Sequence, residues 1–128
     1  MPYYINRTID KDFKETIAAV TEALKREGFG VLTQINMADK FREKLNVNFR
    51  NYVILGACNP PLAHKALQLE DKIGVMLPCN IVIQEWAPGQ VEIAAIDPTA
   101  SMEAVDNMAL DAIASEVSDK LKRVVDSI

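Results

Sequence analysis

The sequence predicts a single α+β domain, and three observations carry that expectation. Segments of period two and segments of helical period succeed one another along the whole chain, in the order β-α-β-(short α)-β-α-β-β-α. Between the last two β-prone runs, Ala87-Pro88-Gly89-Gln90 has Pro and Gly where a type II turn wants them, which predicts a hairpin. The chain has 128 residues, 49% of them hydrophobic and 25% charged, with no internal repeat, low-complexity tract or linker. That is the size and composition of one ordinary globular core over residues 1–128.

Each element has its own signal. Tyr3 to Thr8 is β-prone and precedes Asp10 and Asp12, both good helix N-caps. Phe13, Ile17, Val20 and Leu24 then recur at helical spacing, and Gly28 is a natural stop, so a helix is expected from about Asp12 to Glu27. Phe29 to Ile35 alternates as a second strand, with apolar residues enough to cover both faces in part. Asp39 to Leu45 reads as a short charged helix capped by Asp39, and 46–50 as loop. Tyr52 to Cys58 is a third strand, apolar on both faces. Asn59 caps and Pro60 and Pro61 open a helix that runs to about Glu70. Gly74 and Pro78 break the chain before a fourth strand, Cys79 to Trp86, and a fifth, Val91 to Asp97. After Pro98, Ser101 can cap a final helix whose buried stripe runs from Val105, Met108, Ala109 and Ala112 to Val124 and Val125.

Charge and composition exclude some functions. The formal net charge is -4, and the basic concentrations Lys40/Arg42/Lys44 and Lys120/Lys122/Arg123 have acidic residues beside them. A nucleic-acid binder usually carries an uninterrupted basic stripe, so neither nucleic acid nor an anionic membrane is an expected partner. The first residues lack a basic stretch followed by an apolar one, no apolar run is long enough to span a bilayer, and a reducing compartment would keep both cysteines as thiols. A soluble cytoplasmic protein is the expectation.

The chemistry-bearing residues are few. Cys58 sits where the third strand meets a helix N-terminus, whose dipole favours a thiolate. It suits a nucleophile, a metal ligand or a redox group, and equally a small buried hydrophobe at a strand end. Cys79 follows Pro78 and shares an alternation face with Ile81 and Ile83, which fits a packed side chain. The two thiols meet if the third and fourth strands are antiparallel neighbours and lie at opposite sheet edges if they are parallel. No CxxC is present and His64 is the only histidine, so the two thiols make a weak metal site that would need carboxylates or a second subunit, and no metal ligand is assigned. On the helical wheel His64 falls opposite Leu62, Ala63, Ala66, Leu67 and Leu69, facing solvent or a subunit interface. Lys40, Arg42 and Lys44 fit either an anionic ligand or a solvated face. Trp86 is expected to pack as a hairpin anchor. GxGxxG, Walker, HExxH and GxSxG motifs are all missing.

The stretch Tyr52-Val53-Ile54-Leu55-Gly56-Ala57-Cys58-Asn59-Pro60-Pro61-Leu62-Ala63 resembles the signature of a prokaryotic family known as domain of unknown function 302. Gly74-Val75-Met76-Leu77-Pro78-Cys79-Asn80 resembles its second signature and Ile96-Asp97-Pro98 its third, while Phe29 to Thr33 and Lys44-Leu45 also fit. Gln34, Asn36 and Asn48 depart from the pattern, standing where the family often has Glu, Asp and Asp. The resemblance implies helices on one face of a curved antiparallel sheet, similar to TATA-binding-type modules, and a homodimer. It supplies no established activity and leaves the cofactor unknown. An antiparallel sheet would bring Cys58 and Cys79 together.

Three functions follow as expectations. The first is a homodimeric module that binds a small molecule or anion near Cys58, Asn59, Pro78 and Cys79, with Lys44 as a further ligand residue and with backbone N–H groups of the helix start holding the anion. The second is a thiol redox or metal-binding protein using Cys58 and Cys79. The third is a structural or partner-binding domain with both thiols in its core.

Overall fold

The computed structural model describes residues 2–128. Five antiparallel strands form one open sheet in the order β1-β5-β4-β3-β2. They are β1 (Tyr4–Asp10), β2 (Gly30–Asn36), β3 (Tyr52–Cys58), β4 (Cys79–Ala87) and β5 (Gln90–Ile96). The helices are α1 (Phe13–Arg26), α2 (Met37–Leu45), α3 (Pro60–Leu69), the single turn α4 (Pro98–Ser101) and α5 (Asp111–Asp126). The 3-10 turns Asp71–Met76 and Met108–Leu110 complete the path.

The caps explain the boundaries. Asp12 accepts a hydrogen bond from the Glu15 backbone N–H at 3.1 Å and starts α1 as expected, and Gly28 ends it at φ 85°. At the hairpin, Gly89 takes φ 80°, the positive angle that the third position of a type II turn requires.

Three expectations need correction. The cap of α2 is Asn36, which accepts from the Asp39 N–H at 3.0 Å, so Asp39 lies inside the helix and the helix begins earlier. Strand β2 is an edge strand broken by a bulge between Val31 and Thr33; Leu32 and Ile35 are exposed, so its two faces are not both covered. The final helix does not start at Ser101. Asp97 caps only the short α4, accepting from the Thr99 N–H at 3.1 Å, and the chain then turns over the end of α3. Asn107 fixes that turn by donating to the Leu69 carbonyl at 2.9 Å and accepting from the Ala109 N–H at 3.1 Å. Val105 and Leu110 therefore pack with Ala66 and Ile73 in a small second core, and Met108 is exposed.

The main core lies between the sheet and the helices α1 and α5. Val53, Leu55, Ile81, Ile83, Val91 and Ile93 point inward from β3, β4 and β5, against Val20 and Leu24 of α1 and Leu121, Val124 and Val125 of α5. Each such side chain contributes roughly 1.5–3 kcal/mol by leaving water. Arg7 of β1 reaches the last turn of α5, donating to the Asp126 carbonyl at 2.8 Å, where a cation meets the negative helix end. Among the described residues no helix is long and apolar enough to cross a membrane.

Candidate functional site

Strands β3 and β4 are antiparallel neighbours with Ala57 opposite Cys79, so Cys58 lies one residue beyond that pair. Both thiols line the same cleft, of about 260 Å³. Helix α3 gives the cleft Leu62, Ala63, Ala66 and Leu67, and α5 gives Ile113, Ala114 and Val117. The cavity exists because three of these positions are alanines: two helices and a sheet meet there with side chains too short to fill the gap. Leu77, Pro78, Pro98 and Met102 close another side, and Phe29 and Leu32 stand by the edge strand. The polar side chains among the lining residues are Asn59 and the two cysteines.

The thiols differ. Cys58 is half-buried, whereas Cys79 is 8% exposed. Burial, and after it the nearby charge of Cys58, pushes the Cys79 thiol up to about 11. At neutral pH Cys79 is therefore a protonated, apolar-seeking group.

Asn59 is a joint. Its side chain accepts from the Leu62 N–H at 3.4 Å and donates to the Glu27 carbonyl at 3.3 Å, tying the start of α3 to the end of α1. Gly28 is needed beside it, because a Cβ there would sit 3.0 Å from Asn59 Nδ2. Little of the first turn of α3 is free to donate to an anion. Pro60 and Pro61 carry no N–H, the Leu62 N–H is taken by Asn59, and the Ala63 N–H donates to the Asn59 carbonyl at 2.9 Å. Of the backbone groups expected to capture an anion, the Leu62 and Ala63 N–H are therefore already engaged. Pro78 lies over Gly56, where a Cβ would collide with Thr33 Oγ1 and stand 2.8 Å from Pro78 Cγ.

Other residues singled out from sequence lie elsewhere. Lys44 is exposed on α2 and does not line the cleft. Its neighbours Lys40 and Arg42 pair along the helix with Glu43 at 3.7 Å and Asp39 at 3.6 Å, a solvated face. His64 is exposed, as the wheel predicts. Among the described residues no group of three or more His, Cys, Asp or Glu side chains is placed to hold a metal ion.

The opposite face of the sheet holds a second constellation that sequence reading missed. Trp86 is not a packed anchor but 52% exposed. The Arg50 guanidinium lies over its ring at 4.1 Å and over the Phe49 ring at 4.4 Å. Arg50 Nε donates to Gln84 Oε1 at 2.8 Å, and Gln84 Nε2 donates to Glu92 Oε1 at 3.0 Å. Trp86 Nε1 donates to the same oxygen at 3.0 Å, and Asn6 donates to Glu92 Oε2 at 2.9 Å. Burial pushes the Glu92 carboxyl up, but hydrogen bonds from Asn6, Trp86 and Gln84 and the charge of Arg50 together hold it below the usual range. The signal available in the sequence was the spacing of Gln84, Trp86 and Glu92 about the hairpin turn, which puts all three on one face.

Comparison with known proteins bears on the whole chain. A family model described as domain of unknown function DUF302 matches residues 5–128. A crystal structure of an uncharacterized conserved protein DUF302 from Bacillus stearothermophilus is 31% identical, with a TM-score of 0.91 over 98% of this chain and 98% of that one. No curated protein matches the sequence.

Proposed function

The chain belongs to the DUF302 family, and on that premise we propose that it is a cytoplasmic, homodimeric module that binds a compact apolar molecule beside Cys58 and Cys79. One observation carries the reading: a cleft of about 260 Å³ whose wall is hydrocarbon apart from two thiols and one amide already engaged in hydrogen bonds. An apolar cavity of about 150 Å³ is enough to hold benzene, so this one has room for a ring with a short chain or for a bent alkyl chain. With the Leu62 and Ala63 N–H groups at the α3 start occupied, the wall favours a ligand that is uncharged where it is buried.

The test uses 1-octanol as probe and follows backbone amide shifts by NMR. Saturable shifts at Ala63, Ala66 and Ala114, weakened at least about tenfold in Ala66→Phe and in Ala63→Leu, are the expected result. No saturable shift, or shifts confined to the other face of the sheet, removes the reading. The homodimer rests on the family resemblance, and sedimentation equilibrium checks it: a monomer at every concentration removes that part alone.

Thiol redox chemistry has less support, because a resolving cysteine must ionise and the burial of Cys79 opposes that. Iodoacetamide labelling against pH tests it. A midpoint for Cys58 well below that of a free thiol would bring this rival forward.

A further inference from the structure

We propose that the open face of the sheet is where two copies of this chain meet, centred on a row of aliphatic side chains that crosses four strands. The proposal names the surface of the homodimer and rests on that part of the reading above. The register builds the row: Ile35 of β2 stands opposite Ile54 of β3, Ile54 opposite Val82 of β4, and Val82 opposite Ala94 of β5. Ile54 lies between the buried Val53 and Leu55, and Val82 between the buried Ile81 and Ile83, so the row points away from the helices. None of its four residues belongs to either core. Val82 and Ala94 floor a groove between Tyr4 and Tyr52. A connected apolar strip with aromatic walls and a polar border is the mark of an interaction surface.

Charge and extent both fit a second copy. On one side of the row Gln84 stands opposite Glu92; on the other, Thr33 stands opposite Gly56 and Gly56 opposite Asn80. A two-fold axis along the row sets apolar residues on apolar residues in both copies at once. The Gln84–Glu92 side of each copy then meets the uncharged Thr33–Asn80 side of the other, and the two Glu92 carboxylates stay on opposite sides of the axis. Five strands about 4.8 Å apart, most of them seven residues long at about 3.3 Å each, offer roughly 500 Å² in plan. Pairing therefore covers about 1,000 Å² over two copies, the size at which specific interfaces begin. An interface of that size parts on dilution. In the dilute monomer the row is bare, and there shortening Val82 costs little.

The experiment is sedimentation equilibrium of the intact chain over a range of concentrations, with acrylamide quenching of Trp86, the only tryptophan in the sequence. Expected is a dimer whose dissociation constant rises at least about a hundredfold in Val82→Arg, at the middle of the row, and at least about tenfold in Ile35→Arg, at its end. Val75→Arg, at an exposed aliphatic residue in the 3-10 turn after α3, leaves it unchanged. Trp86 becomes less open to acrylamide as the copies pair, and 1-octanol binding in the cleft is the same in Val82→Arg as in the natural chain. Far-UV circular dichroism checks that each variant keeps its fold; if Val82→Arg loses it, Ile35→Arg on the edge strand decides. A dimer that the folded arginine variants leave intact, or a Trp86 equally quenched in dimer and monomer, overturns this surface while the homodimer stands. A monomer at every concentration overturns both.

Discussion

The two faces of one sheet are built from alternate residues of the same strands, yet they are held by different physics. In β4, Cys79, Ile81 and Ile83 point to the helices and are buried, while Asn80, Val82, Gln84 and Trp86 point away. In β5, Val91, Ile93 and Ala95 point inward, and Glu92 and Ala94 outward. The inner face is stabilised by removed apolar area and is tolerant of which hydrocarbon removes it. The outer face relies on a few directed contacts, in which Glu92 accepts from three partners and Arg50 is set by rings. A one-residue slip of any strand would exchange the two sets, so each face guards the register of the other.

The comparison breaks first at the inner face. Leu55→Ala should cost about 2–5 kcal/mol, against less than about 1 kcal/mol for Val82→Ala on the outer face. Urea denaturation midpoints at unchanged slope measure both, and equal costs would mean that the outer face is covered in solution. The second expected effect is alkaline. The folded Cys79 thiol sits at about 11 against 9.0 unexposed to the fold, so the unfolded chain ionises first and stability falls as pH rises between those values. The loss is about 2–3 kcal/mol at most. Cys79→Val removes that fall, and thermal melts of both chains across the window show the difference; parallel curves would mean that the thiol is open to water. The smallest effect is acidic and belongs to the outer face. Glu92 is held below its unfolded value, so its contribution is present at neutral pH and fades as pH drops below about 4.3 toward its folded value. Glu92→Gln should cost about 1 kcal/mol at pH 7, and the gap to the natural chain should close in acid. A gap constant with pH would show the carboxylate to be unpaired.

Local signals in the sequence were read well where local physics decides. Asp12, Gly28, Asn59 and the Pro88-Gly89 turn each fix their element through contacts within a few residues, and all four stand as expected. The placing of Cys58 and Cys79 on one cleft needed only an antiparallel β3–β4 pair. What escaped was decided at a distance. The start of α5 depends on Asn107 finding the Leu69 carbonyl, which no helical periodicity through Val105 and Met108 reveals. Lys44 drew attention as a charge in a matching motif, but the cleft is bounded by α3 and α5, and α2 lies outside it. Arg50 looked like loop and Glu92 like an ordinary outward strand residue, because a polar side chain on an exposed strand face reads as solvated until its cross-strand partners are known.

The pairing of β1 with β5 sets a timetable. Asn6 is synthesised 86 residues before Glu92, the group it binds, an interval of roughly 4–17 s at about 5–20 residues per second. Through that time β2, β3 and β4 can pair, but the inner side of β1 has neither its strand neighbour nor its helix. Only when α5 has been made can Arg7 donate to the Asp126 carbonyl, which ties the earliest strand to the latest helix. The least local contacts of this domain are thus the last that synthesis allows, and contacts of such long range slow folding.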